Sequence, residues 1–152
     1  MNGSLALIGS GEYLPAMAKF DGSLITDGVK NGKESRYLQI PTAAGRESDD
    51  RLEYWRSLGQ RQADALGVEC TYLPIYSRED AFNQEYVDAV ANSALMDMSG
   101  GDPHHLAETL IDTPLWSAML ENWVTGASLA GCSAGAMAVS YTHLTLPTSD
   151  LV

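Results

Sequence analysis

Short apolar runs alternate with longer amphipathic stretches along this chain, and that alternation predicts βαβ units around a mostly parallel sheet. Leu5-Ala6-Leu7-Ile8 reads as a buried-type strand ending at Gly9-Ser10-Gly11. Leu14 to about Val29 predicts a weaker helix, interrupted by Gly22 and Gly28. Tyr37-Leu38-Gln39-Ile40 is the second strand, stopped by Pro41. From Asp49 to Leu66 the period becomes helical: Leu52, Trp55, Leu58 and Leu66 fall mostly on one face, and Gly67 suits the C-terminal cap. Val68 to Ile75 is the third strand, and Asn83 to Val90 a short helix after a polar loop.

Ala94-Leu95-Met96-Asp97-Met98 is the fourth strand, with Leu95 and Asp97 on one face and Met96 and Met98 on the other. The Ser99-Gly100-Gly101-Asp102-Pro103 turn then opens a helix, since Asp102 can cap it and Pro103 suits its first position. Thr113-Pro114 repeats that logic for a helix carrying Leu115, Trp116, Met119, Leu120 and Trp123, closed by Gly126. The last strand, Leu129-Ala130-Gly131-Cys132, runs into Ser133. No internal repeat and no interdomain linker interrupts the pattern.

That final segment carries the strongest chemical signal. Gly131-x-Ser133-x-Gly135 fits the G-x-S-x-G nucleophile elbow, in which a serine sits on a strained turn from strand to helix. Small neighbours let the backbone bend tightly, and the hydroxyl is exposed at the C-terminal edge of a sheet. A serine hydroxyl needs a base, commonly a histidine oriented by a carboxylate. In elbow-type α/β hydrolases the order is serine, acid, histidine, which places both partners beyond Ser133. Gly100-Gly101 allows backbone N–H groups to approach a ligand, so that with the N–H of Ala134 they are candidates for an oxyanion hole; a simple tight turn is the alternative. His104 and His105 read as a solvent-facing pair in a first helical turn, and adjacent positions on a helix make poor metal partners. Gly9-Ser10-Gly11 lacks the third glycine of a dinucleotide fingerprint and reads as a loop bordering the site.

Length and charge narrow the field further. The 152 residues suit one compact domain, and 45% apolar content fits a globular fold. With 20 acidic against 9 basic residues, the formal net charge is −11. Nucleic acid and anionic membranes, which select a basic footprint, are excluded as expected partners. Cys70 and Cys132 form neither a metal-ligand spacing nor a disulfide framework. The reading therefore carries no cofactor and no metal. No basic segment precedes a long apolar run at the N-terminus, so a cytoplasmic location is expected.

The tail differs from what precedes it. Ser140-Tyr141-Thr142-His143-Leu144-Thr145-Leu146-Pro147-Thr148 looks like the in-frame translation of a sequencing adapter, against the alternative of a genuine β-rich segment. On this reading residues 1–139 form an incomplete α/β domain, residues 140–152 are a non-native tail, the gene continued further, and His143 is no catalytic base.

The chain resembles peptidase family S51, the group of dipeptidase E and cyanophycinase, whose domain is similar to class I glutamine amidotransferases. The resemblance rests on Ile8-Gly9-Ser10-Gly11-Glu12, Ile40-Pro41-Thr42-Ala43-Ala44, Ser99-Gly100-Gly101-Asp102 and Ala130-Gly131-Cys132-Ser133-Ala134-Gly135-Ala136, spread over residues 1–139. It implies a three-layer α/β/α fold of flavodoxin-like type and hydrolysis of a small peptide through an acyl-enzyme on Ser133. The Gly100-Gly101-Asp102 loop and Ala134 would then serve oxyanion and substrate. Family members favour peptides with acidic residues, such as aspartyl dipeptides or cyanophycin. The family's histidine and acid match no position here, so the fragment as it stands is expected to be inactive. The alternatives are a glutamine amidotransferase-like enzyme, which would need a cysteine where Ser133 stands, and a non-catalytic ligand-binding domain of the same fold. Oligomeric state is left open.

Overall fold

The computed structural model describes residues 2–140. Strands Leu5–Ile8 (β1), Glu34–Ile40 (β2), Glu69–Tyr72 (β3), Ser93–Met98 (β4) and Ser128–Cys132 (β5) form one sheet in the order β1-β5-β4-β2-β3. Every strand pairing in it is parallel. Helices Ala18–Lys30 (α1), Asp49–Leu66 (α2), Gln84–Val90 (α3), Pro103–Leu110 (α4), Pro114–Val124 (α5) and Ala134–Ser140 (α6) connect or follow the strands.

The pleat sends alternate side chains of the central strands into two separate cores, which makes the molecule three-layered. On one face Leu38, Ile40, Met96, Met98 and Leu129 pack under α3, α4, α5 and α6. On the other, Tyr37, Leu95 and Ala130 pack against Leu24 and Ile25 of α1 and Ala63 of α2. Each fully buried Leu, Ile or Met in these clusters contributes about 1.5–3 kcal/mol relative to an exposed one. Both faces are covered along β4 and β5, whose residues are all buried.

The helix ends follow their sequence signals. Ser48 Oγ accepts the Arg51 N–H at the start of α2, and Thr113 Oγ1 accepts the Trp116 N–H at the start of α5. Gly67 closes α2 in the left-handed region at φ 67°. At the N-terminal edge of the sheet Asn122 Nδ2 donates to the carbonyls of Val90 and Ser93 and to Ser93 Oγ, fastening α5 to the turn between α3 and β4.

Several boundaries move. The second strand begins three residues earlier than Tyr37, at Glu34, because the Glu34 N–H reaches the Asn92 carbonyl and starts the ladder with β4 before a register shift. The expected strand over 68–75 contracts to Glu69–Tyr72: among the described residues β3 pairs with β2 alone, and Pro74 follows closely. The expected helix over 14–29 splits into a 3-10 turn at Pro15–Met17 and α1. A further 3-10 turn, Arg78–Phe82, lies in the polar loop, held by Ser77 and Asp80 in a reciprocal cap. The 140–152 tail, apart from the Ser140 backbone that ends α6, lies outside the described residues together with His143.

Candidate active site at the carboxyl edge of the sheet

In a parallel sheet the loops after the strands collect at one edge, where open α/β folds place their ligands. Here the segments after β1, β4 and β5 meet. Ser133 is the turn residue between β5 and α6, with φ at 50°, a left-handed conformation rare for serine. Two backbone bonds hold it there: the Ser133 N–H donates to the Ile8 carbonyl at 2.7 Å, and the Met137 N–H donates to the Ser133 carbonyl at 2.9 Å.

The flanking glycines have a steric cause. A β-carbon on Gly131 would lie 2.7 Å from the Gly135 carbonyl carbon, so the strand and the helix that leaves it come too close for a side chain. A β-carbon on Gly135 would fall inside contact distance of the Met98 carbonyl oxygen on β4. The spacing of the motif is thus the footprint of α6 folding back on its own strand and on the neighbouring one.

Gly100 is placed against Ser133. The point where its β-carbon would stand is 3.3 Å from Ser133 Cβ and 3.7 Å from Ser133 Oγ. Ala134, fully buried, takes the first position of α6 immediately after the serine. Gly101 and Asp102 turn away. Gly101, at φ 146°, presses on the backbone of Ala43, and the Asp102 N–H donates to the Ala43 carbonyl at 2.8 Å. The Asp102 carboxylate caps α4 by accepting the His104 and His105 N–H groups at 2.9 and 3.2 Å. Those bonds, the one from His105 foremost, hold its carboxyl below the usual range. Of the expected loop, then, Gly100 faces the serine while Gly101 and Asp102 secure the turn.

The two histidines are not a solvent-facing pair. His104 is exposed, but His105 is buried and its Nε2 lies 2.7 Å from the Tyr76 carbonyl. The helical period puts one neighbour outside and the other against the loop after β3.

Glu12 also reaches the Gly100-Gly101 turn. It stands in the loop after β1, and its Oε1 accepts the Gly100 N–H at 3.2 Å. Its sequence signal was an acidic residue at the end of the first strand's turn, which means little until β1 is known to lie beside β5.

Beneath this edge the sheet carries a buried carboxyl. Asp97 of β4 accepts the Tyr37 hydroxyl at 2.6 Å through Oδ2. Burial, reinforced by Asp21 and Glu12 and opposed by the Tyr37 bond, pushes its pKa up to about 7. Cys132, beside Ser133, is 3% exposed, and burial followed by Asp97 and Glu12 pushes its thiol far up. A thiol in that state is not a thiolate nucleophile at neutral pH.

A parallel sheet covered by helices, with a left-handed serine turn at its carboxyl edge, is a three-layer α/β domain. The model of peptidase family S51 matches residues 5–150, and the chain belongs to that family. A solved peptidase from an acI-B1 Actinobacterium is 63% identical, superposes with a TM-score of 0.89, and is matched over 90% of this chain and 56% of its own length. A Listeria monocytogenes EGD-e protein named as a peptidase E is 22% identical with a TM-score of 0.62, over 89% of this chain and 60% of its own, a likeness of fold. The chain therefore spans less than two thirds of either relative. No curated protein matches it. Among the described residues no helix is long and apolar enough to cross a membrane, and no group of three or more His, Cys, Asp or Glu is placed to hold a metal ion.

Proposed function

We propose that Ser133 is the nucleophile of a serine-type peptidase that cleaves small peptides through an acyl-enzyme. The observation that carries this reading is the left-handed backbone of Ser133, at φ 50°, between two glycines that leave room for nothing larger. Strain of that kind persists where the surrounding structure over-determines it, which is the arrangement a nucleophile elbow requires.

In the proposed reaction Ser133 Oγ attacks the scissile carbonyl carbon as a base removes its proton. The carbonyl oxygen gains the charge, and its proposed donors are the N–H of Ala134, which follows the serine at the start of α6, and the N–H of Gly100, the turn residue that faces Ser133. Collapse expels the amine, and water then releases the acyl group. The histidine and acid that the family resemblance implies belong downstream of Ser133, outside the described residues.

The thiol of Cys132 speaks against the amidotransferase reading. It is buried and its pKa is raised, whereas ammonia release from glutamine through a thioester needs an accessible, activated thiolate. Labelling of the full-length gene product by a fluorophosphonate is expected at Ser133 and is expected to vanish in Ser133→Ala. A Ser133→Ala variant that labels as fast as the parent removes the serine from this role.

A further inference from the structure

We propose that Glu12 makes the site select substrates carrying a positive charge beside the scissile carbonyl, of which the free α-ammonium of a short peptide is the simplest. The inference rests on the nucleophilic reading of Ser133 and adds a specificity-determining residue to it.

The argument starts from position. Glu12 Oε1 lies 2.7 Å, and Ser133 Oγ 3.7 Å, from the same point beside Gly100 Cα. A carboxylate and the attacking hydroxyl thus share one small region. The loop is built to hold Glu12 there: Gly11 before it and Tyr13 after it are both left-handed, at φ 96° and 65°. Tyr13 is 6% exposed and packs against Trp55 of α2 with ring centroids 6.5 Å apart, so the second left-handed residue is anchored in the core. Positive φ costs glycine little, but at Tyr13 it is strained and persists where packing enforces it.

The ion pairs among the described residues are Arg36–Glu34 and Arg51–Glu47, and neither includes the Glu12 carboxylate. It takes the Gly100 N–H instead, one of the donors that the tetrahedral oxyanion would use. A neutral substrate meets two penalties here. The developing oxyanion is repelled by a nearby carboxylate, and the Gly100 amide is already engaged. An ammonium group on the residue that supplies the carbonyl removes both, because it draws Glu12 into an ion pair and frees the amide for the oxyanion.

Calorimetry on the full-length gene product in a Ser133→Ala background, which prevents turnover, tests this with L-alanyl-L-alaninamide and its N-acetyl derivative as probes. The free-amine probe is expected to bind at least tenfold more tightly. Glu12→Gln should bring the two affinities within about twofold of each other, and Glu12→Asp, with its shorter arm, should leave an intermediate preference. Thermal melts establish that each variant is folded, and Glu12→Asp carries the test if Glu12→Gln is not. Equal affinities in the parent, binding of neither probe, or a preference that survives in the folded Glu12 variants overturns the inference. Fluorophosphonate labelling reads the other claim separately. Labelling confined to Ser133 without amine preference removes only Glu12 from its role, and labelling that persists in Ser133→Ala removes the nucleophile while leaving the ammonium site to stand on its own binding data.

Discussion

Replacing Asp97 by asparagine should stabilise this protein at alkaline pH and destabilise it in acid. Asp97 is 4% exposed; Tyr37 donates to Oδ2, while Oδ1 is buried with no hydrogen-bond partner among the described residues. Its carboxyl titrates near 7 in the fold, chiefly because burial disfavours the charge, against about 3.9 in an unfolded chain. Below pH 4 both states carry the proton and the group costs folding nothing. Between pH 4 and 7 the unfolded chain releases the proton and the native state keeps it, so stability falls as pH rises. Above 7 the whole cost is present, on the order of 4 kcal/mol for a displacement of this size. Asparagine keeps the shape and can still accept from Tyr37, but its amide N–H groups face the unpartnered side, a cost of about 1–3 kcal/mol. The net expectation is a gain of roughly 1–3 kcal/mol at pH 8 that reverses to a loss of about 1–3 kcal/mol at pH 4. Of the groups around Asp97, Asp21 is also raised by burial and titrates with the same sign. Tyr13, Tyr37 and Cys132 are all raised and titrate above the window. Asp21 and Glu12 are present in both proteins, so the difference between them isolates Asp97. Urea unfolding followed by circular dichroism from pH 4 to 8 measures that difference. A pH-independent difference, or an Asp97→Asn variant that is weaker at pH 8, refutes the reasoning.

Two further substitutions test the packing that shapes the site. Gly135→Ala places a methyl group against the Met98 carbonyl and must push α6 away from β4; a loss of about 2 kcal/mol or more is expected in thermal unfolding, with slower labelling of Ser133 because the turn moves with the helix. Asn122→Ala removes a donor shared by the Val90 and Ser93 carbonyls and Ser93 Oγ at the far edge of the sheet; a loss of about 1–3 kcal/mol is expected in urea, with the labelling rate of Ser133 unchanged.

How far the sequence could be read depended on whether a signal was local. Apolar period and punctuation located β4 with its two faces, α2 with its glycine cap, and the proline-started helices α4 and α5, because each is decided by a few neighbouring residues. Boundaries failed where a distant partner decided them. Glu34-Ser35-Arg36 has no apolar alternation, yet it extends β2 because Asn92 offers a carbonyl. His105 looks exposed in a string of letters and is buried because α4 rests on the loop carrying Tyr76.

The site divides along the same line. Gly131-Cys132-Ser133-Ala134-Gly135 announces a tight strand-to-helix turn by itself, since the bend is local and only small residues fit it. That Gly131 must clear Gly135, that Gly135 must clear β4, and that Glu12 reaches across to Gly100 beside Ser133 follow only from β1 and β4 lying on either side of β5. Local chain stiffness and side-chain period write the elements into the sequence, but strand order is a long-range choice made by burying both faces of the sheet at once. The charges brought together by that choice have no common neighbourhood in the sequence.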